Sequence, residues 1–88
     1  MLEEKHREII EYLHELCIEK NKSYGNSVSK TYDEYGMVSF LVRIADKLSR
    51  ANSLSLNNQK ENDEKLEDTL LDMANYCILA VIELKKER

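Results

Sequence analysis

Only two positions in this chain oppose a helix. Proline is absent from all 88 residues, and glycine occurs only at Gly25 and Gly36. In a helix interior proline costs about 3 kcal/mol and glycine about 1 kcal/mol. A chain this free of both reads as all-α, built from a few long helices. Its apolar share of 42% against a charged share of 34% fits a folded helical protein rather than a disordered one. Its length allows one small domain, 1–88, whose core is marginal on its own.

Apolar spacing divides the chain into three helices. The first runs from about Leu2 to Lys20, with Leu2, Ile9, Leu13 and Leu16 in a stripe. A polar segment from Asn21 to Gly36 follows, with both glycines and Tyr24, Tyr32 and Tyr35, and shows no clear period. It reads as a long loop, and long loops in small domains are usually functional or disordered. The second helix spans about Met37 to Asn52, with Leu41, Ile44, Ala45 and Leu48 facing inward. The third spans about Asp63 to Lys86, capped by Asn58 or Asn62, with Leu66, Leu70 and Met73 inward in its first half.

The second half of the third helix, MANYCILAVIEL, is apolar nearly all round. Leu79 and Ile82 point away from the side that carries Leu70, Cys77 and Leu84. A helix apolar on every side must be covered on every side. Two further short helices cannot do that, so the sequence predicts a homo-oligomer, a dimer or higher, with Tyr76, Leu79 and Ile82 in the interface.

Net charge is -4, which argues against a partner of duplex nucleic acid. Cys17 and Cys77 lie far apart among apolar residues, as buried reduced thiols would. The N-terminal MLEEKHREII is charged from its third residue and is no signal peptide, and no apolar run spans a membrane. These features predict a cytoplasmic protein. His6 and His14 are not spaced as a metal pair and read as surface or satisfied interfacial residues.

Three constellations can carry chemistry. Glu64, Asp68 and Asp72 form an i, i+4, i+8 ladder over about 12 Å of helix, with Asn75 just beyond. Like charges at this spacing oppose helix formation. The ladder is either a solvated face or a set of oxygen ligands for Mg²⁺. Arg43, Asp46, Lys47 and Arg50 share one face of the second helix, where they can bind phosphates or pair weakly with one another. Lys22, Tyr24, Asn26 and Tyr32 in the polar segment can stack on and hydrogen-bond to a nucleobase, or simply cover the core. No glycine-rich phosphate loop and no local nucleophile–histidine signature is present, so no catalytic residue is assigned.

Three segments together resemble a known family. KNKSYGNS, GMVSFLVRIADKLSRANSL and NDEKLEDTLLDMANYCILAVIEL carry K-x-YG, R-x-x-DK-x-x-R and D-x-x-x-D-x-x-NY in order. They look like the phage-associated nucleotide-modification domain, which is grouped with the MazG-like all-α NTP pyrophosphatases. The resemblance covers about Lys20 to Leu84. It implies an all-α fold, an oligomeric helical bundle, a bacterial host cell and a nucleotide ligand. The family's recurring polar positions fall here on Lys22, Tyr24, Gly25, Arg43, Asp46, Lys47, Arg50, Glu64, Asp68, Asp72, Asn75 and Tyr76.

MazG-like pyrophosphatases hold Mg²⁺ between an ExxE pair and an ExxD pair. In this chain the second helix offers only Asp46, and the third offers an i+4 ladder. The expected ligand contacts are Lys22, Tyr24, Asn26, Arg43, Lys47, Arg50, Asn75 and Tyr76. If Mg²⁺ is the cofactor, Asp46, Glu64, Asp68 and Asp72 are its expected ligands. The reduced acid set favours binding over turnover, with a nucleotide or a cyclic or ADP-ribose-type signal sequestered. The alternatives are a Mg²⁺-dependent nucleotide pyrophosphohydrolase and a structural oligomer in a nucleotide-modification complex.

Overall fold

The computed structural model describes residues 1–56 and 60–87, with every side chain among them except Tyr24 and residues 60–62. Four helices appear among the described residues: α1 Leu2–Tyr24, α2 Ser27–Tyr35, α3 Val38–Leu56 and α4 Lys60–Lys86. The all-α expectation holds, with one helix more than periodicity gave. The segment read as a loop is the last turn of α1, a two-residue break and α2. Helix α2 directs only Val28 and Tyr32 into the core, too few apolar residues to display a period. Asn58 lies outside the described residues, and α4 begins upstream of Asn62.

Each glycine ends a helix. Gly25 has φ 59° and donates its N–H to Asn21 O at 2.7 Å. Gly36 has φ 75° and donates to Tyr32 O at 2.7 Å. The positive φ lets the chain leave the helix while satisfying a terminal carbonyl, and only glycine adopts it without strain.

Helices α3 and α4 form an antiparallel pair. Its register is set by Phe40 beside Ala80, Arg43 above Tyr76, and Lys47 on Asp72. Phe40 is 1% exposed and sits at the centre of the core. Tyr32 packs on it with ring centroids 5.8 Å apart and planes tilted by 47°, a favoured aromatic geometry. Val28, Met37, Ile44, Tyr76 and Leu79 close around this cluster. Leu13 from α1 is buried as well, as are Ala51 and Thr69 where α3 and α4 pass each other.

The inward faces differ from the sequence reading in several places. On α3 the buried line is Phe40, Ile44 and Ala51, with Lys47 beside it, whereas Leu41 is 55% and Leu48 51% exposed and Ala45 is exposed too. The apolar stripe of α3 is wider than one contact line, and the bulkiest side chain, Phe40, takes the core. Leu66 and Met73 are half-buried as expected, but Leu70 is exposed. Leu2 and Ile9 are exposed on α1. Tyr76 and Leu79, expected between protomers, pack within one. Cys17 is half-buried, while Cys77 is an exposed free thiol, contrary to the expectation of two buried ones. His6 and His14 are exposed. Among the described residues no helix is long and apolar enough to cross a membrane.

Candidate functional site

On the side of the α3–α4 pair that faces α1 and α2, a cleft of about 510 Å³ opens. Tyr76 and Leu79 of α4 form part of its wall. Its rim is polar: Lys20 and Asn21 from α1, Asn26 and Ser29 around the start of α2, Lys47 from α3, and Asp72, Asn75, Glu83 and Lys86 from α4. A volume of this size suits a small organic ligand.

One end of the cleft is organised by Asp72. Lys20 Nζ donates to Asp72 Oδ1 at 2.5 Å, and Lys47 Nζ donates to Oδ2 at 3.2 Å. Partial burial pushes the Asp72 carboxyl up, but the two lysine hydrogen bonds and charges outweigh it and hold it below the usual carboxylate range. Two ammonium groups on one carboxylate leave this end of the cleft with a net positive charge.

The other end is organised by Glu83, which is only 6% exposed. Ser29 Oγ donates to its Oε1 at 2.6 Å, and Lys86 Nζ donates to the same oxygen at 3.2 Å. The Ser29 hydrogen bond, aided by Lys86 and opposed by burial, lowers the Glu83 carboxyl. Just behind, Tyr32 OH donates to Glu87 Oε1 at 2.5 Å, and that bond pushes the phenol up to about 12.

The ring of Tyr76 forms part of the cleft wall, with the Arg43 guanidinium 5.7 Å from its centroid. This is cation–π range, so Arg43 supports the wall rather than lining the cleft.

The expected ligand residues thus divide. Asn26, Lys47, Asn75 and Tyr76 line the cleft, joined by Asp72 from the expected metal set. Lys22 is exposed and 3.9 Å from Glu19, and Arg50 is exposed. The Tyr24 side chain lies outside the described residues. Lys20, Asn21, Ser29, Glu83 and Lys86 are additions. No local signal marks Lys20, whose partner Asp72 is 52 positions away.

The acidic ladder does not converge. Each i+4 step adds about 40° beyond a full turn, so three acids spread over about 80°. Glu64 and Asp68 are exposed, Asp68 beside a second depression walled by Glu8, Tyr12 and Glu67, while Asp72 turns in to the lysines. Asp46 is exposed on α3. Among the described residues no three carboxylate, histidine or cysteine groups are placed to hold a metal ion. As arranged in the protomer, Asp46, Glu64, Asp68 and Asp72 do not fit a Mg²⁺ site.

The family model for nucleotide modification associated domain 1 matches residues 20–84. The chain belongs to that family. The matched span begins at Lys20 and takes in nearly the whole cleft, including Lys47, Asp72, Asn75, Tyr76 and Glu83. No curated protein and no solved structure matches the chain.

Proposed function

We propose that this member of the nucleotide modification associated domain 1 family binds a nucleotide, or a nucleotide-derived phosphate compound, in the cleft lined by all four helices and holds it without efficient turnover. The observation that carries this reading is the pair of lysines, Lys20 and Lys47, converging on Asp72 at one end of the cleft. In a chain of net charge -4, this is a local positive site beside an aromatic wall.

An ammonium carries three N–H donors, and Asp72 takes one from Lys47. A phosphate beside the carboxylate would receive charge-assisted hydrogen bonds, the stronger kind. Asp72 keeps the lysine heads in place when the cleft is empty, so less side-chain freedom is lost on binding. Tyr76 offers a ring face for a base, and Asn21, Asn26 and Asn75 offer both donors and acceptors to base and sugar edges. Sequestration is favoured over hydrolysis because both oxygens of Asp72, the one acid of the expected metal set in the cleft, are already bonded to lysine. A phage-type function in a bacterial host, removing a cyclic or ADP-ribose-type signal, fits a binder of this size.

The test is to incubate purified protein with a panel of mononucleotides, cyclic nucleotides and ADP-ribose compounds, with and without Mg²⁺. Chromatography is run before and after heat denaturation. Depletion of one compound from solution with intact recovery on heating supports sequestration. New products that require Mg²⁺ would assign a pyrophosphohydrolase instead.

A further inference from the structure

Asp72 and Glu83 stand eleven residues apart on α4. That is three full turns and about 20°, so the two carboxylates share one face, about 16 Å apart along the axis. Both line the cleft, as do Tyr76 and Leu79 between them in sequence. Their partners give the two ends opposite characters.

At the Asp72 end both oxygens are taken, by Lys20 and Lys47, and positive charge is left over. At the Glu83 end one oxygen is taken twice, since Ser29 Oγ and Lys86 Nζ both donate to Oε1. Glu83 is only 6% exposed, yet its Oε2 accepts no hydrogen bond among the described residues. Among those residues no fully buried polar side-chain atom lacks a partner. Oε2 is therefore not sealed in the core but opens to the cleft that Glu83 lines. The Ser29 hydrogen bond and Lys86 favour the ionised carboxyl. In that form it can only accept. A buried charge of this kind is costly unless donors satisfy it, and the open oxygen calls for one from the cleft.

Given a nucleotide with its phosphate at the Lys20–Lys47 end, we infer that Glu83 reads the base at the far end and selects guanine, an assignment that rests on the reading proposed above. In a 5′-nucleotide the sugar lies between phosphate and base, so the end remote from the lysines meets the base edge. Guanine presents two adjacent donors there, N1–H and the N2 amine, with the O6 acceptor beside them. Oε2 has lone pairs for the donors. Lys86 gives one of its three N–H groups to Oε1 and has others for O6. Hydrogen bonds to an ionised partner are the stronger kind. Adenine and cytosine place a ring acceptor next to their amine, and an ionised oxygen repels it. Hypoxanthine keeps N1–H and O6 but lacks the amine. Tyr76 and Leu79 offer a ring face and an aliphatic surface to the plane of the base. Guanine-bearing compounds, cyclic ones included, are thereby favoured over adenine compounds of the ADP-ribose type.

Calorimetric titration of wild-type protein with the 5′-monophosphates of guanosine, inosine, adenosine and cytidine tests the base. The guanosine compound should bind tightest, and loss of the amine in the inosine compound should weaken binding about tenfold or more. Glu83→Gln keeps the shape of the side chain and removes its charge, and should erase the guanine preference. Should that variant not fold, Glu83→Asp, which keeps the charge and withdraws the oxygen by one methylene, should weaken guanosine monophosphate selectively. Nucleotides that bind with no preference for guanine, or a preference that the folded variant keeps, would overturn the assignment and leave the lysine end as the nucleotide site. Failure of all four compounds and of their cyclic forms to bind would overturn the assignment together with the nucleotide reading.

Discussion

At the scale of single residues, the site rests on two carboxylates held by partners from other helices. Asp72 accepts from Lys20 and Lys47, and its carboxyl is held below the usual range. A carboxylate with a lowered folded-state pKa stabilises the fold above its ordinary range, and the effect is lost as pH falls through the folded value. Asp72→Ala should therefore cost about 1–2 kcal/mol near neutrality, allowing for partial solvent exposure. Urea melts should show that gap closing at acid pH, where the wild-type carboxyl is itself protonated. Tyr32 has the opposite sign. Its phenol, pushed up to about 12 by Glu87, stabilises the fold below the ordinary tyrosine value near 10. The contribution fades as pH rises through about 12. Ultraviolet titration should show one phenol ionising late, and Tyr32→Phe should remove that late step.

At the scale of elements, what the sequence made legible follows from which forces are local. The long helices are readable because nothing breaks them, whereas Gly25 and Gly36, which end α1 and α2, read from sequence only as parts of a loop. Helix α2 is hidden in the sequence because Val28 and Tyr32 are the only apolar residues it packs into the core. The inward side of α3 was misjudged by one residue because its apolar stripe is broad, and only Phe40 meeting Ala80 decides which edge turns in. Asn26, Lys47, Asp72, Asn75 and Tyr76 of the cleft could be named from pattern and resemblance. Lys20, Ser29, Glu83 and Lys86 could not, because the Lys20–Asp72 and Ser29–Glu83 pairs join positions 52 and 54 apart. The turn between α2 and α3 gives a clean prediction. A Cβ at Gly36 would meet nothing within 4 Å, so only its φ of 75° opposes substitution. Gly36→Ala should lower stability by about 1–3 kcal/mol, read from denaturant midpoints, and leave helical content unchanged.

At the scale of the whole molecule, one small aromatic cluster joins three helices. Phe40→Ala removes its centre and should cost about 3–5 kcal/mol. That is a large part of the roughly 4–13 kcal/mol expected for a domain of this length. Thermal unfolding should show a much lower midpoint or no cooperative transition. The most direct measurement of the cleft's role is calorimetric titration of nucleotides into wild-type protein and into folded Lys20→Ala and Lys47→Ala variants. A phosphate-bearing nucleotide should bind the wild type with one site per chain. Affinity should fall with added salt and drop about tenfold or more in each variant, as loss of a charge-assisted hydrogen bond requires. A wild type that binds no member of the panel, or binding that both variants keep in full, would contradict a nucleotide site in this cleft.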